Sequence, residues 1–281
     1  MPYLIDTAFD QFLERITIGG DIRALATTRQ NNIVDLLAGR METLDVFPTG
    51  SLVRGTGLKG SSDVDIIAVL HYSKHVKDKS CTQLLESVRQ VLSGYDARIV
   101  KKNGQAVTLY FKTWPNVDLV PAKHVTADSK SVLYIPDANT GEWIRTAPAL
   151  HDATMSKLPL RRRQLVRMIK CWNAAHSGYV LSFHIEQIAA DCHFTTDSSE
   201  WSEDDWPYAV LEFFEKADDF TSATGQNWFQ YATDDWLELR PRLERAKGLA
   251  LEAWSAAYNG DNEKAMGKLR VIFGDRFPAY G

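Results

Sequence analysis

Three aspartates and a glycine–serine pair are the residues in this chain best suited to chemistry. Asp63 and Asp65 stand two apart at the start of Val64-Asp-Ile-Ile-Ala-Val-Leu70, a β-branched run that reads as a strand. A period of two puts both carboxylates on one face, side by side. Two like charges there repel unless something positive lies between them. Hard oxygen ligands suit Mg2+, which takes a few carboxylates and completes its shell with water and phosphate. Asp118, in Val117-Asp-Leu-Val-Pro121, sits among apolar strand residues, where an inward carboxylate is costly unless paired or metal-bound. If the two strands are neighbours, three carboxylates converge. That layout suits a two-metal phosphoryl or nucleotidyl transfer, with Asp118 nearest the attacking oxygen and placed to help remove its proton. Gly50-Ser51, leaving a short strand at Val46-Phe47, offers backbone N–H groups and a hydroxyl to a phosphate chain.

Each feature alone has a plainer explanation. A lone Asp-x-Asp is more often a turn or a helix cap, and the Asp after Ser61-Ser62 can simply end a turn. Their order and spacing, with a third strand aspartate downstream, favour the metal reading. Arg54, three residues after Ser51, suits either a phosphate contact or a brace for the loop. His124, His151 and His184 are scattered singly and read as structural or surface residues. Cys171-Trp172 and the cluster Trp201, Trp206, Tyr208, Phe213 and Phe214 read as core.

The positioning elements follow from periodicity. Apolar residues at helical spacing mark residues 4–17 and about 21–43. Strands are expected at 46–47, 64–70, 97–101, 105–111 and 117–120, with a helix near 80–93. Strands with so few helices between them predict a small, partly antiparallel sheet. Beyond about 155 the pattern is helical at 160–176, 181–192, 205–217, 234–258 and 261–273. Pro121, Pro136, Pro148 and Pro159 mark the boundary region. The expected division is 1–150, a catalytic lobe with N-terminal helices, and 151–281, a helical lobe. Six basic residues and no acidic one lie between Ala153 and Lys170, and nine acidic residues lie between Asp197 and Asp219. Most of these read as solvated helix faces. The sharper reading is a basic helix that binds phosphates across a cleft from the carboxylates.

Composition bounds the partners. The 281 residues, 44% hydrophobic and 24% charged, describe an ordinary globular chain rather than a disordered or fibrous one. A net charge of −4 weighs against a broad surface for coating polyanions, so any nucleotide contact must be local. The three cysteines form no CxxC pair, which argues against a zinc site or disulfide framework and fits a reducing cytoplasm. The first residues lack the layout of a signal peptide, and no run is long and apolar enough to span a membrane.

Taken together, Gly50-Ser51, Asp63-Val-Asp65 and Val117-Asp118 resemble the nucleotidyltransferase fold of the polymerase-β superfamily, and in particular its cGAS/DncV-like (CD-NTase) group. Four further segments carry the narrower likeness: Ile135-Pro-Asp137 followed by Gly141 to Pro148, the lysine-bearing Leu165 to Asn173, Leu181-Ser-Phe-His-Ile-Glu186, and Ile272 to Pro278 near the end. The resemblance covers roughly residues 45–278. It implies an α+β fold, with a polymerase-β-like lobe built on a small mixed sheet, a helical lobe, and an active-site cleft between them. It implies metal ligation by Asp63, Asp65 and Asp118, two Mg2+ ions with Mn2+ as the alternative, and nucleotide contacts by Gly50, Ser51, Arg54, Lys170 and Ser182. Without the resemblance, Lys170 reads as a surface lysine. Ser182 reads equally as the N-cap of its helix, with Glu186 near the capping-box position.

The implied activity joins NTPs, ATP among them, into a cyclic di- or oligonucleotide with release of pyrophosphate. The implied setting is cytoplasmic bacterial antiphage defence (CBASS), where the cyclic product opens a downstream effector. Two competitors stand beside it. One is template-independent addition to RNA ends of the CCA-adding or poly(A) type, against which stand the acidic charge and the lack of an RNA-binding appendage. The other is a silent nucleotide-sensing module, against which stand the three intact carboxylates.

Overall fold

The computed structural model describes residues 4–124, 132–195, 205–228 and 236–281, with side chains described except at 219–228 and 236–237. Trp201 and the acidic residues from Asp197 to Asp204 therefore lie outside the described residues. The chain divides into two compact units, Ile18–Lys157 and a second made of Met1–Thr17 with Leu158–Gly281.

The first unit contains α2 (Gly20–Ala38), β1 (Thr43–Thr49), α3 (Gly50–Arg54), β2 (Val64–Leu70), α4 (Cys81–Leu92), β3 (Ile99–Asn103), β4 (Ala106–Tyr110), β5 (Val117–His124), β6 (Leu133–Pro136), β7 (Trp143–Thr146) and α5 (Pro148–Ser156). Its strands run in the order β1-β2-β5-β4-β3, with β6 and β7 continuing from β5. The β2/β5 pair is parallel and the other pairs are antiparallel, so the sheet is mixed, as expected. Alternation decides its two faces. Val64, Ile66, Ala68 and Leu70 of β2 join Val107 and Leu109 of β4, and Val117 and Leu119 of β5, in one core. That core also holds Ile33 and Leu37 of α2 and Leu84, Leu85, Val88 and Leu92 of α4. The opposite face gathers Ile67, Val69, Ala122 and Leu133. By the same parity Asp65 and Asp118 belong to that second face. Ser80 starts α4 with a capping box: its hydroxyl accepts from the Gln83 N–H at 3.2 Å, and the Gln83 side chain accepts from the Ser80 N–H at 2.8 Å.

The second unit contains α1 (Ile5–Ile16), α6 (Leu160–Ala175), α7 (Ser182–Asp191), α8 (Trp206–Trp228), α9 (Trp236–Tyr258) and α10 (Asn262–Phe273). Phe9 and Phe12 of α1 meet Phe277 with ring centroids 5.2 Å apart, and Phe12 meets Phe273 at 4.7 Å. On α9, which packs against α8 and α10, Ala246, Ala250 and Ala253 are buried at helical spacing.

Three expectations change here. The α1 helix belongs with the second unit rather than with residues 18–150, because its buried face of Ala8, Phe9, Phe12 and Ile16 has its partners in α6 and α10. At the other boundary, α5 stays with the sheet, so the division falls after Lys157 rather than Leu150. The segment read only as a link, 135–148, contains a β6/β7 hairpin. Its turn is closed by the buried Asp137 carboxylate, which accepts from the Asn139 N–H at 2.9 Å and the Thr140 hydroxyl at 3.2 Å. Strands of four residues are too short to show alternation.

Candidate active site

The parallel register of β2 and β5 sets Asp65 directly beside Asp118. Asp63 precedes β2 by one residue and shares the parity of Asp65, so the two strands bring all three aspartates to one end of the sheet face. Burial raises the Asp63 pKa, and the nearby Asp118 carboxylate raises it further. Hydrogen bonds from the Asn116 backbone and side chain act in the opposite direction. Asp118 is likewise raised by burial and partly offset by the Thr108 hydroxyl, which donates to its Oδ1. Thr108 faces Asp118 across the β4/β5 pair and is 1% exposed.

These carboxylates fit a divalent cation on the chemistry of the set. Two of them are half-buried, and the charge of Asp118 disfavours the ionised form of Asp63. The structure is narrower than expected in one respect: among the described residues, no three His, Cys, Asp or Glu side chains are already grouped to hold an ion by themselves.

The Gly50-Ser51 turn abuts this cluster. Gly50 follows β1 with φ +85°, and a Cβ built on it would lie 1.8 Å from Asp65 Oδ2 and 2.6 Å from its Cγ. Only glycine permits both the backbone and the approach. Ser51 continues into α3, and its carbonyl accepts from the Thr56 N–H at 2.9 Å. Gly55, at φ +70°, ends this one-turn helix.

Arg54 is paired with Asp152 across the loop. Its Nη1 lies 2.7 Å from Asp152 Oδ1, and the Thr49 hydroxyl donates to Asp152 Oδ2 at 2.7 Å.

A brace holds the loop between β4 and β5. Arg29 of α2, 8% exposed, donates from Nη1 to the Thr113 carbonyl at 2.8 Å and to the Pro115 carbonyl. Its Nη2 donates to Thr113 Oγ1 at 2.7 Å, and its guanidinium lies 4.0 Å from the centre of the Phe111 ring. The loop is tied to the aspartates in turn. Trp114 Nε1 donates to the Ser62 carbonyl at 3.0 Å, and the Val64 N–H donates to the Asn116 carbonyl at 3.0 Å. Sequence reasoning missed Asn116, Thr108, Arg29 and Asp152. Asn116 carried the one usable signal, a side-chain amide immediately before the Val117-Asp118 strand.

Lys170 and Ser182 fall in the helical unit, on α6 and α7. Lys170 is not a surface lysine: its Nζ lies 2.6 Å from Glu186 Oε1, with side chains 5% and 0% exposed. Ser182 is exposed and is the first residue of α7. Leu181 holds the N-cap position without a side-chain cap, and Glu186 pairs with Lys170, so the capping-box alternative does not occur.

The basic run of α6 is also not a solvated face, because α6 packs against α1, α7, α8 and α10. Arg162 is buried, donates to the Ala189 carbonyl at 2.7 Å at the end of α7, and lies 3.5 Å from the centre of the Phe194 ring. Arg161 stacks over Trp206 at 4.4 Å. Cys171 is core, its thiol pushed up to about 11 by burial. Trp206, Phe213 and Phe214 are buried, and Tyr208 is half-buried.

Residues 4–158 match the family described as Second Messenger Oligonucleotide or Dinucleotide Synthetase domain. The chain is 25% identical over 310 residues to a cyclic AMP-AMP-AMP synthase of Acinetobacter sp. (strain ATCC 27244 / 9458), covering 98% of this chain and 86% of that protein. It is similar to the solved structure of E. coli MS115-1 CdnC with ATP, at 19% identity and TM-score 0.69 over 98% of this chain and 99% of that one. It is also similar to the Bradyrhizobium diazoefficiens CD-NTase CdnG in complex with GTP, at 14% identity and TM-score 0.74 over 97% and 96%. These structures share the fold of the present chain. Among the described residues no helix is long and apolar enough to cross a membrane.

Proposed function

The chain belongs to the Second Messenger Oligonucleotide or Dinucleotide Synthetase family, and from that premise we propose that it joins NTPs into a cyclic oligonucleotide with release of pyrophosphate. The observation that carries the reading is the placement of Gly50 against Asp65 while Asp65 stands in register with Asp118. A turn suited to a triphosphate thus adjoins the carboxylates suited to its counter-ions. The curated relative's name supports ATP as one substrate. The family match disfavours addition to RNA ends.

In this reading the Gly50-Ser51 turn holds the donor triphosphate through backbone N–H groups and the Ser51 hydroxyl. Asp63, Asp65 and Asp118 hold two Mg2+ ions, or Mn2+ in their place. When bound, these ions neutralise phosphate charge and lower the pKa of the attacking ribose hydroxyl. A bond forms between that oxygen and the α-phosphorus, the α–β anhydride bond breaks, and pyrophosphate leaves. Asp118 takes the hydroxyl proton on Oδ2, since Thr108 donates to Oδ1. Asn116 and Thr108 hold Asp63 and Asp118 in place while substrate is absent. For Lys170 to contact the triphosphate, as the resemblance implies, phosphate must share or replace its bond to Glu186. Ser182, one turn before Glu186 on α7, is the proposed hydroxyl donor. A bacterial antiphage role, with an effector opened by the product, completes the proposal.

The test is incubation of the purified protein with all four NTPs and Mg2+ or Mn2+, phosphatase treatment, and mass spectrometry. A phosphatase-resistant cyclic product that disappears in Asp63→Ala/Asp65→Ala is the expected result. A product of undiminished yield from that variant removes the metal assignment.

A further inference from the structure

We infer that Asp152 is a positioning residue that sets the geometry of the phosphate-binding turn, and that Arg54 acts through it rather than on the nucleotide. The inference rests on the nucleotide reading above. Asp152 stands on α5, 98 residues after Arg54, and divides its carboxylate between the two ends of one short element. Its Oδ1 accepts from Arg54 at 2.7 Å and its Oδ2 accepts from the Thr49 hydroxyl at 2.7 Å. Thr49 is the residue before α3, and Arg54 is the last residue of α3. Gly50 and Ser51 lie between them.

A helix of five residues closes few internal bonds and does not hold its shape alone. Its entry at Gly50 is in a backbone region that glycine explores freely. An N-cap threonine would ordinarily turn its hydroxyl onto the first-turn N–H groups. Thr49 makes no such bond, and its hydroxyl is engaged by Asp152 instead. The clamp is also dry: Thr49 is 7% exposed, and the Arg54 and Asp152 side chains are 13% and 15% exposed. Charge-assisted hydrogen bonds in such a setting are stronger than neutral ones and directional. Asp152 therefore orders the turn before a triphosphate arrives, and the Arg54 guanidinium is oriented by a carboxylate on α5.

The experiment measures binding of α,β-methylene-ATP with Mg2+ to the full-length chain by calorimetry, alongside thermal midpoints. The variants are Asp152→Ala, Arg54→Ala, the double variant, and the milder Asp152→Asn and Thr49→Val. Each alanine variant is expected to raise Kd about tenfold, the scale of one charge-assisted hydrogen bond. The double variant is expected to be no worse than either single one, and Asp152→Asn and Thr49→Val to fall between. A merely structural role lowers the midpoint without this non-additive loss of affinity. Two results overturn the inference: unchanged affinity in Asp152→Ala, or a double variant whose loss is the product of the singles, which places Arg54 on the phosphate independently. If Asp152→Ala does not fold, unchanged affinity in both Asp152→Asn and Thr49→Val refutes it equally. A wild-type chain that binds none of the four NTPs or this analogue brings down the nucleotide reading itself and the inference with it. A wild type that binds, with variants that bind as well, refutes the clamp alone.

Discussion

Gly50→Ala perturbs the candidate site at its tightest contact. An alanine at φ +85° costs about 1–2 kcal/mol in backbone strain. Its Cβ would also stand 1.8 Å from Asp65 Oδ2, where real contacts are essentially never under 3.0 Å, so the carboxylate must retreat by on the order of 1 Å. Overpacking of this kind adds ~1–3 kcal/mol. The sum, about 2–5 kcal/mol, lowers the midpoint by about 4–20 °C, at roughly 2–4 °C per kcal/mol for a unit of this size. Displacing a reacting group by about 1 Å reduces kcat/KM on the order of 100-fold. Thermal melts and pyrophosphate release measure the two effects separately. The decisive comparison is made in an Asp65→Ala background, where the contact is gone and only the backbone strain remains. Equal destabilisation by Gly50→Ala in both backgrounds would refute the account, since it would leave Asp65 with no part in the requirement for glycine.

Three further outcomes are expected. Asp63 and Asp118 have raised folded-state pKa values, so their stability contribution is full below the ordinary carboxylate range and is lost as pH rises through the raised values. Asp63→Asn should therefore gain on wild type, in metal-free melts, as pH rises above about 4, and Mg2+ should narrow the gap. A difference that does not change with pH would count against this electrostatic reading. The Lys170–Glu186 pair is fully buried, so Lys170→Met alone should cost about 3–5 kcal/mol, while Lys170→Met/Glu186→Leu should recover most of it. The double variant, once folded, also tests the lysine's proposed triphosphate contact by its loss of NTP affinity. Arg29→Lys keeps the charge but loses the planar fork that reaches Thr113 and Pro115, and should cost ~2 kcal/mol with faster amide exchange at Asn116 and Val117. Unchanged exchange there would separate Arg29 from the aspartate loop.

Periodicity made much of this molecule readable. The strand from Val64 to Leu70 alternates between a helix-covered core and the face of Asp65, because side-chain period is a local property of extended backbone. The glycine at position 50 was legible only as part of a Gly-Ser turn, while its positive φ and its approach to Asp65 belong to the fold. What the chain alone determined was therefore most of the longer elements, the shared face of Asp63 and Asp65, and the type of chemistry their spacing suits.

Tertiary structure decided everything that depends on which distant segments meet. Only the parallel β2/β5 pairing placed Asp118 beside Asp65, and only the helical packing assigned α1 to the unit that begins again at Leu158. Arg162 and Arg167 of α6 looked solvated in sequence and proved buried, because helices pack around α6; Arg162 donates to the Ala189 carbonyl and stacks on the Phe194 ring. Asp152 gave no local sign of its role, for its partners lie 98 and 103 residues away. Local backbone preference is written residue by residue, whereas a charge acquires its partner only when folding brings remote surfaces out of water together.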